Sequence, residues 1–343
     1  METLFPFMTQ STGIGGAIKK NLEDFFVEEI PAYPTNGEGE HLFVLIEKRD
    51  MGTPDLVRYI SRVLDIPQSE IGFAGRKDRW AVTRQYVSFL AAQCPDPAVL
   101  NSDYVKVLDA QRHKNKLRIG HLKGNRFRVL VRDTVEGAAE IATGLAQEIA
   151  RCGVPNYFGD QRFGVTNQTD ADGFKLLRGE KTEKRLIGDA LRFALSAVQS
   201  RLFNDWVRER LEDGLSQTVM TGDVMQVVES GGCFAVEDPV IEQPRFETRE
   251  TTITGPMFGP TMKAPQAEPA AREARVLERF GMTPASFQRY SKLTAGTRRP
   301  MLLWPDELAV ETVEGGLEFR FVLPSGAYAT SVLREFMRAD QNG

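Results

Sequence analysis

The densest concentration of reactive side chains is Gly72-Phe73-Ala74-Gly75-Arg76-Lys77-Asp78-Arg79-Trp80-Ala81-Val82-Thr83. One carboxylate, Asp78, stands among three cations, Arg76, Lys77 and Arg79. Neighbouring cations favour the ionised form of a carboxylate. An ionised carboxylate in a basic loop suits attack on an electrophilic carbon next to phosphates. The two glycines permit a tight backbone path. Residue types alone also fit a surface turn with Asp78 held in an ion pair.

A second cluster runs from Arg112 through His113, Lys114, Asn115, Lys116, Leu117 and Arg118, then Gly124, Asn125, Arg126, Phe127 and Arg128. Interleaved cations, amides and aromatics can hold a phosphate backbone and stack an unpaired base. Asn125 could read a base edge and Phe127 could stack on it; a basic surface hairpin with Phe127 in the core is the alternative. A third segment, Gly153 to Gly164, carries aromatics, Gln161, Arg162 and three glycines, and reads as a hinge or scaffold. In a fourth, Leu323 to Ser331, a turn delivers Tyr328 and hydroxyls to a helix start, where Ser325 or Thr330 could serve as the cap.

Other chemistries find little support. The three histidines have no partner at ligand spacing, and HExxH, GxSxG, GxxxxGK[ST] and CxxC are absent. The three cysteines are far apart, which points to a reducing cytoplasm. No run approaches the length of a membrane span, and the first 16 residues do not read as a secretory signal.

The net charge of −4 over 343 residues argues, on its face, against a nucleic-acid partner. The distribution reverses that reading. Residues 101–132 hold nine Lys/Arg against two acids, and residues 71–90 hold four against one. Residues 153–303 are neutral, with twenty of each sign. Charge focused on the segments that carry Asp78, Asn125 and Phe127 is what a phosphate-binding face requires.

The elements that must position these residues follow from periodicity. Strands are expected at 25–30, 41–46, 85–89, 104–108, 116–119, 125–131 and 317–323, with a turn at 36–40. Helices are expected at 55–64, after Thr53-Pro54, and at 135–152. After Gly153 helices are expected at 174–177, 190–211 and 270–280, short strands at 219–228 and 233–236, and a long loop at 254–269. A last helix starts at Tyr328. Strands, a helix-rich middle and a returning strand suggest an insertion within a β-rich α+β domain.

Together these segments resemble the TruD family of tRNA pseudouridine synthases. The resemblance spans about Lys19 to Met337. It rests on Lys19-x-x-x-x-Asp24-Phe25, Gly37-Glu38-Gly39-Glu40-His41, Phe73-Ala74-Gly75-x-Lys77-Asp78-x-x-Ala81-Val82-Thr83 and Arg112-His113-Lys114-x-Lys116-Leu117-Arg118. It continues through Leu122-Lys123-Gly124-Asn125-x-Phe127, Pro155-Asn156-Tyr157-Phe158-Gly159-x-Gln161-Arg162-Phe163-Gly164, Leu323-Pro324-x-Gly326 and Ala329-Thr330-Ser331. Each motif is modest; their shared order is specific.

The resemblance implies an α+β fold. A discontinuous pseudouridine synthase domain, residues 1–152 and 304–343, would have a mixed, largely antiparallel sheet, and an α/β family-specific domain, residues 153–303, would be inserted in it. It implies isomerisation of uridine at position 13 of tRNA, in the cytoplasm, with no cofactor, metal, membrane or obligate protein partner. Asp78 falls on the catalytic aspartate. Phe25, Asn125 and Tyr328 fall on positions that hold the target nucleoside, Phe127 where an aromatic stacks on the base, and Lys19 and Lys77 beside the catalytic loop. Trp80 departs from the smaller or polar residue expected there, and Tyr328 adds a hydroxyl where phenylalanine also occurs.

Overall fold

The computed structural model describes residues 5–35, 37–159, 162–163 and 169–338. Asn36 of the expected turn, and Asp160, Gln161 and Gly164 of the third segment, lie outside the described residues. Contacts divide the chain into Ser11–Ala150 with Pro305–Gly343, and Met1–Gln10 with Arg151–Trp304.

In the first unit the chain forms β1 (Gly15–Ala17), β2 (Phe25–Pro31), β3 (His41–Arg49), α1 (Thr53–Leu64), β4 (Gly72–Phe73), β5 (Val82–Leu90), β6 (Val105–His113), β7 (Leu122–Thr134) and α2 (Ala138–Cys152). In the second, β8 (Val154–Pro155), α3 (Thr169–Leu177), α4 (Gly188–Glu212), β9 (Val224–Val227), β10 (Cys233–Ala235) and α5 (Pro239–Glu247) are followed by β11 (Thr251–Met257), α6 (Ala267–Arg279), β12 (Thr297–Pro300) and β13 (Leu302–Leu303). The chain then returns to the first unit with β14 (Asp306–Val313), β15 (Gly316–Pro324) and α7 (Ala329–Met337).

The first unit is built on one sheet of order β14-β15-β7-β2-β5-β3-β6, with β1 alongside β7 and β4 alongside β5. Among the described residues only β2 and β5 pair in parallel, so the sheet is mixed and largely antiparallel. Strands from both chain ends meet where β15 pairs with β7. Helix α1 begins at Thr53-Pro54, a favoured start because proline's missing N–H is unpaired there anyway. Its Leu56, Val57 and Ile60 pack with Leu42, Val44 and Ile46 of β3 and Val87 and Phe89 of β5. Those β3 and β5 residues alternate along their strands, as a half-buried sheet demands.

The second unit is centred on α4, whose Leu202, Phe203, Trp206 and Val207 share a core with Met225, Ile253, Val276 and Phe287. Its sheet has the order β10-β9-β11-β12, and β13 pairs with β8.

Several sequence expectations are corrected. The sequence reading places residues 1–10 in the first unit, yet Phe5 stacks on Tyr157 at 4.8 Å and Met8 lies against the α4 core. A segment this short has no periodicity to announce its partner. The strand expected at 116–119 is a loop, because the Leu117 N–H donates to the side chain of Ser88 in β5, at 2.8 Å, and not to a strand's backbone carbonyl. The loop expected at 254–269 opens as the wholly buried strand β11. Its Gly255 provides room for the rings of Trp206 and Phe203, which a Cβ would meet at 2.6 and 2.8 Å; here glycine marks close packing, not a turn. Among the described residues no helix is long and apolar enough to cross a membrane.

Candidate active site

The site grows from the connection between β4 and β5. Gly72 passes so close to the 114–121 loop that a Cβ would sit 2.3 Å from the Leu117 carbonyl. The Gly120 N–H donates to the Ala74 carbonyl at 2.9 Å. The connection then runs through Asp78 to β5. Asp78 is 45% exposed, and its Oδ2 accepts from Lys19 Nζ at 2.7 Å. Lys19 adopts a left-handed backbone, φ 60°, which an L-residue takes up only at some cost. The Trp80 indole N–H donates to the Lys19 carbonyl at 2.9 Å. Trp80 thus fastens the Lys19 turn to the loop through a second contact, separate from the carboxylate.

Lys19 Nζ also lies 4.3 Å from the centre of the Phe25 ring, an attractive position for a cation. Phe25 meets Phe127 edge-on at 6.3 Å, and Phe127 stacks on Phe321 of β15 at 5.4 Å. The row spans β2, β7 and β15, and both Phe25 and Phe127 are buried. Of the two readings of Phe127, this places its ring in the sheet's core, with only 6% exposed.

Beneath the loop the sheet is unexpectedly polar. Alternation along β2 puts Glu29 on the buried face with Phe25 and Val27. Glu29 is paired with Asn125 of β7 and accepts from Lys77 Nζ at 2.7 Å. Burial pushes the Glu29 carboxyl up, and Lys77 works against that shift. Lys77 therefore points into the protein. Its peptide N–H donates to Thr53 Oγ1 at 2.8 Å, and Thr53 donates to Gln85 Oε1 at 2.9 Å. Lys48, wholly buried and paired across the sheet with Thr83, donates to the carbonyls of Met51 and Asp78. Among the described residues Glu29 Oε1, Thr83 Oγ1, Gln85 Nε2 and Asn125 Oδ1 are buried without a hydrogen-bond partner. Buried polar atoms of this kind are rare in folded proteins and need an explanation.

The structure thus joins Lys19, Phe25, Asp78 and Phe127 through direct contacts, and ties Lys77 to Asn125 through Glu29. Tyr328 stands at the N-cap of α7, 37% exposed, beyond the point where Leu323 pairs with Asn125. Sequence reasoning missed Glu29, Lys48, Thr53 and Gln85. The signal for two of them was present: Phe25, Val27, Glu29 and Val44, Ile46, Lys48 each follow a two-residue period, which puts an ionisable side chain on a core position.

The sequence matches the family described as tRNA pseudouridine synthase D (TruD) over residues 3–191 and 184–336. The chain belongs to the TruD family. Among its relatives, tRNA pseudouridine synthase D of Anaeromyxobacter dehalogenans (strain 2CP-1) is 43% identical, covering 98% of this chain and 97% of its own length. That of Thermus thermophilus is 42% identical, covering 98% and 93%. A solved TruD structure from Methanosarcina mazei superposes with a TM-score of 0.78 at 25% identity, covering 98% of this chain and 96% of that one. The α+β fold and the family read from the motifs are therefore both as expected.

Proposed function

We propose that this TruD-family chain isomerises uridine to pseudouridine at position 13 of tRNA, with Asp78 as the nucleophile. The observation that carries the reading is the setting of Asp78: an exposed carboxylate on a loop fixed from two sides, 2.7 Å from a cation that itself rests on an aromatic ring. The target uridine must first leave its stack, at a cost of a few kcal/mol. Asp78 attacks the sugar carbon; the bond to the base nitrogen breaks and its electron pair leaves with uracil. The freed base turns, its carbon 5 bonds to the same sugar carbon, and the carboxylate is released. The proton on carbon 5 is lost and the base nitrogen regains one, so the reaction balances without an external reagent.

The remaining residues divide the work. Lys19 holds the Asp78 carboxylate in place and offers its charge to the phosphates nearby. Asn125, with an unpartnered buried oxygen, supplies an acceptor for a base N–H. The exposed Tyr328 bounds the space in which the base turns, and the buried Phe25 and Phe127 rings form the apolar support beneath Lys19. Lys77 supports the loop from below through Glu29. The test is to incubate the protein with unmodified tRNA and map pseudouridine by position. Conversion at position 13 of wild-type tRNA, absent when that uridine is replaced by cytidine, is expected. Conversion only at other positions would overturn the site assignment.

A further inference from the structure

We infer that Lys48 is a positioning residue for Asp78, its buried ammonium clamping the aspartate's own carbonyl to the turn between β3 and α1. The inference rests on the assignment of Asp78 as nucleophile and goes beyond it. Lys48 continues the core row Leu42, Val44 and Ile46 of β3. An apolar residue there would pack as its neighbours do, and burying a cation is unfavourable unless it is hydrogen-bonded. Its bonds are specific. The ammonium donates to the Met51 carbonyl within its own turn and to the Asp78 carbonyl at 3.3 Å. Two residues beyond Met51, Thr53 receives the Lys77 peptide N–H at 2.8 Å. The Lys77-Asp78 dipeptide is thus gripped at both ends by one turn, while only the Asp78 side chain projects to solvent.

The charged groups facing Lys48 are Lys77 and Asp78 of the loop and Asp55 of α1. Burial pushes its ammonium down to about 8; the charge of Lys77 adds to that, and Asp78 and Asp55 oppose it. The clamp is charged at neutral pH and weakens as pH rises through 8. Stability moves the other way. A group with a folded pKa below its unfolded value leaves the unfolded chain holding more protons between those values, so stability from this group rises from about 8 toward 10.5. Loss of rate without loss of fold therefore separates a positioning role from a structural one.

The experiment compares single-turnover conversion of unmodified tRNA by wild type, Lys48→Met and Asp78→Asn from pH 6 to 9.5, with tRNA affinity and melting temperature measured in parallel. Wild type is expected to lose rate above pH 8 while its melting temperature holds. Lys48→Met is expected to be at least tenfold slower at pH 7, to bind tRNA within twofold of wild type, and to lack the alkaline limb. Should Lys48→Met not fold, Lys48→Gln, which keeps a donor without the charge, takes its place with the same expectation. A lysine-free variant within twofold of wild type at pH 7 that keeps the alkaline limb overturns the inference and leaves the Asp78 assignment intact if Asp78→Asn is inactive. Conversion by Asp78→Asn would instead overturn that assignment, and the role of Lys48 with it.

Discussion

Replacing Glu29 with glutamine tests whether the polar floor under the Asp78 loop is a structural necessity. The Glu29 and Lys77 side chains are 0% and 4% exposed, with their charged atoms 2.7 Å apart. Glu29→Gln keeps the shape and an oxygen acceptor but removes the charge. Lys77 is then left buried and uncompensated, near a second buried cation, Lys48. Removing one partner of a buried pair costs about 3–5 kcal/mol. For a unit of about 150–250 residues each kcal/mol moves the melting temperature by about 2–4 °C, so a fall of about 6–20 °C is expected. The assay is thermal and urea unfolding of the full chain, followed by circular dichroism. The double variant Glu29→Leu/Lys77→Met should recover most of the loss, because a well-packed apolar pair often matches a buried ion pair. It should also bind tRNA within about twofold of wild type, as Lys77 faces inward. A Glu29→Gln loss below about 1 kcal/mol, well under the range for a broken buried pair, would show that Lys77 does not depend on the Glu29 charge.

Lys19→Met removes a partly exposed ion pair, so it should change stability by less than about 1 kcal/mol while lowering the conversion rate at least tenfold; unfolding and single-turnover assays read the two separately. Phe127→Ala truncates a ring packed between Phe25 and Phe321 and should destabilise by about 3–5 kcal/mol, with Phe127→Leu far milder in the same denaturation experiment. In the second unit, burial pushes Glu273 up to about 7 despite its bond to Arg298. Its folded pKa exceeds its unfolded value, so the stability it contributes is present below about 4.5 and is lost as pH rises through 7. Urea unfolding between pH 5 and 8 should show that decline, and Glu273→Gln should flatten it.

Much of the architecture could be read in advance because its strands alternate cleanly. The β2, β3, β5, β7 and β15 segments each show a two-residue period, and Thr53-Pro54 marks the start of α1. The interruption by a second unit followed from the change in texture after Gly153. Two kinds of feature resisted. Strand β11 is buried on both faces and contains Gly255 and Pro256, so it lacks alternation and resembles a loop; only the rings of Phe203 and Trp206 explain its glycine. The loop at 116–119 has strand-like residues, but a side-chain acceptor, Ser88, takes its backbone.

The site was legible to the same degree. Asp78 stands out by residue type, Lys19 and Phe25 only through the resemblance to the family's motifs, and the three meet in space. Thr53 and Gln85 look ordinary in sequence, a helix-start threonine and a strand glutamine, while Glu29 and Lys48 are marked only by falling on the core-facing period of their strands. Their roles depend on the register that pairs β2 with β7 and β3 with β5. Trp80, conspicuous in sequence as a departure from the family pattern, is explained by its bond to the Lys19 carbonyl.

In the proposed mechanism the Asp78 carboxylate performs the chemistry while the rest of the site holds the RNA and the loop. Single-turnover incubation of Asp78→Asn with unmodified tRNA, alongside a direct measurement of tRNA affinity, tests it most directly. No pseudouridine is expected, with affinity within about twofold of wild type, since the substitution would remove the proposed nucleophile and no cation. Conversion by Asp78→Asn at a rate near that of wild type would contradict it.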